Sequence, residues 1–79
     1  MQPDDVAAQL EILFEQLILQ QRRRVADLAR RLNARLTEDD LLSPADVPEL
    51  AQSPEWNYED GVLHGFLAAQ MAVRQKLRR

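Results

Sequence analysis

Hydrophobic and polar positions alternate along the chain with helical periods. From Asp4 to Leu36 neither glycine nor proline occurs, and Phe14, Ile18, Gln21, Val25, Leu28 and Leu32 recur at alternating spacings of four and three. That spacing is the seam of a helix packed lengthwise on a partner helix, and it predicts one long helix over about residues 4–36. Val6, Leu10, Leu13 and Leu17 add a second apolar stripe beside the seam. The first half of this helix is therefore apolar on more than one face.

The next segment, TEDDLLSPADVPELAQSPEW, is broken by Pro44, Pro48 and Pro54 yet stays too apolar for a loose linker. Thr37 and Ser43 each precede an acid by three residues, Asp40 and Asp46, which is the pattern of a helix N-cap answered by a capping-box acid. Pro44 falls where a first helical residue tolerates proline. Short helical turns over about 37–53 are expected, with Leu41, Leu42, Val47 and Leu50 turned toward the long helices.

A last helix over about 54–78 is expected to begin at Ser53-Pro54 or at Asn57, where Asp60 holds the capping-box position. Tyr58, Val62, Phe66, Ala69, Val73 and Leu77 form its main apolar stripe, and Leu63, Leu67 and Met71 a second. The fold class is then all-α: an antiparallel hairpin of two long helices with a proline-marked, partly helical connection, in a single domain over residues 1–79. Two helices cannot enclose a core. Because both carry apolar residues on more than one face, the pattern predicts that two hairpins pair into a homodimeric four-helix bundle.

The chain's two glycines, Gly61 and Gly65, fall inside the last helix, where each costs about 1 kcal/mol relative to alanine. With Ala68, Ala69 and Ala72 they make a ridge of small residues that lets a second helix approach closely, either Ala26 and Ala29 of the first helix or a helix across a two-fold axis. The alternative is a helix break at the turn-prone Asp60-Gly61. The expected packing residues are Phe14, Ile18, Val25, Leu28, Gly61, Gly65, Phe66, Ala69, Ala72 and Val73. A membrane-dimer reading of Gly-x-x-x-Gly is disfavoured by His64, Gln70 and Arg74 in the same run.

Charge sharpens the arrangement. Net charge is −3, distributed in blocks: acids only through residue 21, six arginines with one aspartate over 22–35, acids only over 36–60, and bases only thereafter. In an antiparallel hairpin, Arg31 and Arg35 are expected near Glu55, Glu59 and Asp60, and Glu11 and Glu15 near the basic end of the last helix. Such surface pairs contribute about 0–1 kcal/mol each, so they select the arrangement more than they stabilise it.

The candidate chemistry is sparse. The Arg22–Arg35 block suggests phosphate contacts, but the net charge, a pI near 5.0 and the spread of Arg22, Arg23 and Arg24 around the helix make nucleic acid an unlikely partner. His64, the only histidine, stands one turn after Asp60, yet the Glu-x-x-His motif of helical metal sites is absent. No catalytic residue, metal ligand or cofactor is expected. The absence of cysteine, the acidic opening residues and the lack of a long apolar run lead to the expectation of a cytoplasmic protein without a membrane span. Trp56 and Tyr58 open the last helix amid Glu38, Asp39, Asp40, Asp46, Glu49 and Glu55. Trp56 either closes the hairpin's open end or anchors a partner on this acidic surface. The functional expectation is a non-catalytic protein–protein interaction module acting as a homodimer, or a subunit that completes its core with a different protein.

Overall fold

The computed structural model describes residues 3–77. Four α-helices and one 3-10 turn follow in order: α1 Pro3–Leu32, α2 Glu38–Leu42, the turn Pro44–Asp46, α3 Pro48–Ala51 and α4 Pro54–Leu77. Helices α1 and α4 run antiparallel along each other. Glu11 near the start of α1 meets Arg74 near the end of α4, while Val25 meets Trp56 at the other end.

Local chemistry sets the boundaries. Helix α1 stops at Leu32, four residues short of the expected Leu36, because Asn33 offers the backbone a competing partner: its side-chain oxygen accepts the Arg35 N–H at 3.0 Å. The Thr37 capping box is present, with the Thr37 N–H donating to Asp40 Oδ2 at 2.8 Å and the Asp40 N–H donating to Thr37 Oγ1 at 3.4 Å. Ser43 precedes the 3-10 turn but makes no side-chain cap, and Pro44 begins that turn.

Helix α4 starts at Ser53-Pro54, not at Asn57. Ser53 Oγ accepts the Trp56 N–H at 3.1 Å. The Asn57 amide instead donates to the carbonyls of Leu50, Ala51 and Ser53, at 3.0, 3.3 and 2.8 Å. The Leu50 and Ser53 carbonyls also accept the backbone N–H groups of Ser53 and Asn57, so the Asn57 amide adds a partner for Ala51 and ties the end of α3 to the entry of α4.

The core lies at one end. Ile18, Val25, Leu28 and Ala29 of α1, Val47 and Leu50 of the connection, and Trp56 and Leu63 of α4 are buried, with Phe14, Leu36, Leu41, Phe66 and Leu67 packed against them. Ala29, Leu50 and Trp56 are all but inaccessible, at 0%, 0% and 1% exposure. The short helices act as a cap over this end. Trp56 closes it from below, and its indole N–H donates to the Val25 carbonyl at 3.2 Å, so the ring is buried with its polar atom satisfied.

Register is fixed by polar contacts across the seam. Gln21 is buried, and its Nε2 donates to both the backbone oxygen and Oε1 of Glu59, at 2.8 and 2.9 Å. Removing it would unmake both bonds across the seam.

The molecule is a rod of 48 × 20 × 17 Å with a radius of gyration of 15.4 Å, where a compact chain of this length has about 12 Å.

Candidate docking surface

The inward face of α4 differs from the face its sequence stripe indicates. The buried positions are Trp56, Leu63 and Gln70, seven residues apart, and Glu59 and Arg74 join them through contacts with α1. Tyr58 and Leu77 of the expected main stripe are 71% and 49% exposed, and Met71 of the second stripe is 60% exposed. Val62, Phe66 and Val73 are half-buried, on the shoulder of the contact. On α1 the expected seam holds at Ile18, Gln21, Val25 and Leu28, Phe14 is half-buried, and Leu32 is exposed.

The glycines do not admit α1. Helix α4 runs unbroken through Gly61 and Gly65, so there is no break at Asp60-Gly61. A β-carbon built at either glycine meets nothing within 4 Å, and Ala68, Ala69 and Ala72 are exposed beside them. The small ridge therefore forms the back of α4, away from α1. Ala29 is buried, but against other residues than the glycines.

Two faces flank the α1–α4 contact. At about 100° per residue, Val6, Leu10, Leu13 and Leu17 share an arc of about 60° on α1, and Val62, Phe66, Ala69 and Val73 an arc of similar width on α4. Each arc lies about 80–90° from the inward direction in the same rotational sense. Antiparallel helices wind oppositely when viewed from one end, so equal rotations place both arcs on one side of the rod. Leu10 and Val73 accordingly line one groove, with Ala7, Glu11, Arg74, Gln75 and Leu77. Glu15, Leu19, Arg22 and Leu67 line a separate groove on the opposite side. On the first side Val6 and Leu13 stand 42% and 49% exposed, and the rest of both arcs is half-buried apart from Ala69, which is exposed. Neither arc contains a charged residue.

The charged candidates distribute unevenly. The Arg74 guanidinium clamps Glu11 with Nε to Oε1 at 2.6 Å and Nη2 to Oε2 at 2.8 Å. That bidentate hydrogen bond holds the Glu11 carboxyl below its ordinary range and raises Arg74 in turn. At the other end the expected pairs do not form: among the described residues no salt bridge joins Arg31 or Arg35 to Glu55, Glu59 or Asp60. Glu59 turns to Gln21 instead, and Asp60 to His64. Arg22, Arg23, Arg24, Arg30 and Arg31 stand exposed on α1 without an ion-pair partner among the described residues.

Glu38, Asp39, Asp46, Glu49 and Glu55 are exposed around the cap, and Asp40 is half-buried with its carboxylate held by Thr37. Trp56 is not part of that surface, because it is buried beneath the cap. His64 Nδ1 lies 3.4 Å from Asp60 Oδ2 and 2.8 Å from the Asp60 carbonyl oxygen, an exposed pair one helical turn apart. Among the described residues no three histidine, cysteine or acidic side chains gather as a metal site. No described helix is long and apolar enough to cross a membrane.

No protein family, curated protein or solved structure matches this chain.

Proposed function

We propose that this protein is a non-catalytic protein–protein interaction module, an adaptor, regulator or structural subunit, that works as a helical homodimer. One observation carries the reading: the hairpin leaves half of its apolar length uncovered. Among the described residues, no hydrophobic side chain before Ile18 or after Leu63 is buried. The accessible surface is 6170 Å². A folded monomer of 9.1 kDa exposes about 4,900 Å². The excess exceeds the roughly 800 Å² that each partner contributes to a standard stable interface. A second copy brings the same apolar length and requires no further component.

Sedimentation equilibrium over a wide concentration range, with helicity followed in parallel, tests the reading. The expected result is a well-folded species of twice the chain mass. A weakly folded monomer that acquires helicity only with a different protein would replace the homodimer with a heteromeric subunit.

A further inference from the structure

Building on the homodimer reading, we infer that the second copy docks on the apolar flank formed by Leu10, Leu13 and Leu17 of α1 with Phe66, Ala69 and Val73 of α4. The two copies are related by a two-fold axis perpendicular to the rod, passing near Leu13, so that α1 lies antiparallel on its counterpart.

Three observations select this face and this sense. The first is size of side chain. The flank presents leucine, valine and phenylalanine with Ala69 at its edge, whereas the back of α4 presents Gly61, Gly65, Ala68 and Ala72, which release little apolar area when covered.

The second is the position of charge around the rod. On the opposite flank Glu15 and Arg22 line the groove beside Leu19, and burying them would strip two charged groups of water. On the chosen flank the groove's two charged side chains, Glu11 and Arg74, are already bound to each other by two hydrogen bonds. No charge falls on either arc between Val6 and Leu17 or between Val62 and Val73.

The third is the position of charge along the rod. A two-fold axis parallel to the rod would set the acidic cap, with Glu38, Asp39, Asp46 and Glu49, beside the same cap of the second copy. The perpendicular axis sets that cap beyond the basic end of the other copy's α4, where Lys76 is exposed. It also turns Arg24, the one arginine of the Arg22–Arg24 run that shares this arc, toward the acidic opening of the other α1. The two acidic caps are then kept at opposite ends of the dimer, each on the side of the other copy's basic α4 end.

Single-cysteine variants test the geometry cleanly because the natural chain has no cysteine. Under mild oxidation Leu13→Cys should cross-link to itself, and Ala68→Cys on the back of α4 should not. In parallel, Leu13→Arg should weaken self-association at least about ten-fold. Leu42→Arg, at a site 81% exposed on the cap, should leave it unchanged. The dimer should also loosen as salt rises.

A dimer that cross-links through Ala68→Cys and not through Leu13→Cys overturns the choice of face and leaves the homodimer intact. A dimer in which Leu13→Cys joins Ala69→Cys of a differently labelled copy, and tightens with salt, overturns the perpendicular axis. A wild-type chain that remains monomeric at every concentration removes the reading on which the inference rests.

Discussion

The two ends of this rod solve the same problem in different ways. At the capped end, the last third of α1, the short helices and the first turns of α4 enclose Ala29, Leu50 and Trp56 almost completely. At the open end, two helices alone lie side by side, and Val6, Ile12, Leu13, Leu19, Met71 and Leu77 are each at least 42% exposed. The open end is the more apolar of the two in sequence. What leaves it exposed is the number of layers. A third layer, α2 to α3, lets α1 and α4 bury a second face at one end, and its absence at the other leaves only the line of contact between two cylinders.

This contrast predicts where substitutions act. Trp56→Ala should have the largest effect, about 3–5 kcal/mol, since it opens a cavity beneath the cap and frees the Val25 carbonyl of its partner. Chemical denaturation of the variant measures it. A loss under 1 kcal/mol would mean that the cap does not depend on Trp56. Leu50→Ala should cost about 2–5 kcal/mol. Leu19→Ala, 51% exposed and outside the proposed interface, should stay within about 0.5 kcal/mol. Equal effects at Leu50 and Leu19 would erase the distinction between the ends.

At the next level the glycines sharpen the comparison. Since nothing occupies the space a methyl would fill, Gly61→Ala and Gly65→Ala should each raise stability by about 1 kcal/mol through the backbone alone. Destabilisation or loss of the dimer in these variants would show that another helix does approach the ridge. Thr37→Ala should cost about 1 kcal/mol by removing the capping box, read as a lower denaturation midpoint.

The smallest effect belongs to pH. The folded-state pKa of Glu11 is lowered by its hydrogen bond to Arg74, so the pair stabilises the fold above the ordinary carboxylate pKa of 4.5. Its contribution is lost as pH falls from there through the lowered value. Glu11→Gln should flatten that part of the acid-stability curve. An unchanged curve would leave the open end without an electrostatic latch.

Much of the capped end was legible in the sequence. Thr37 with Asp40, Ser53 with Pro54, and the seam from Ile18 to Leu28 are local signals, and each operates as its pattern indicates. The inward face of α4 was harder to read. That helix is apolar or small nearly all round, so periodicity alone admits several faces. Its deciding residues include polar ones: Gln70 is buried, and Glu59 and Arg74 make their bonds across the seam. The spacing of Trp56, Leu63 and Gln70 by sevens is the signal that marks the correct line. The glycine ridge misled for a related reason. Small residues permit close approach but do not require it, and only the neighbouring elements determine whether a helix arrives. The charge blocks gave the antiparallel sense, yet Arg31 and Arg35 make no ion pair with Glu55, Glu59 or Asp60 among the described residues, and the last two are engaged by Gln21 and His64.

Hydrogen exchange of the backbone amides at low and high protein concentration tests the central claim most directly, since it reads the two ends separately in one molecule. The account predicts that amides of residues 7–17 and 66–76 exchange quickly when dilute and become protected as concentration rises, while those of 25–30 and 56–63 stay protected throughout. Protection at the open end that is already complete in a dilute monomer, or that never responds to concentration, would contradict it.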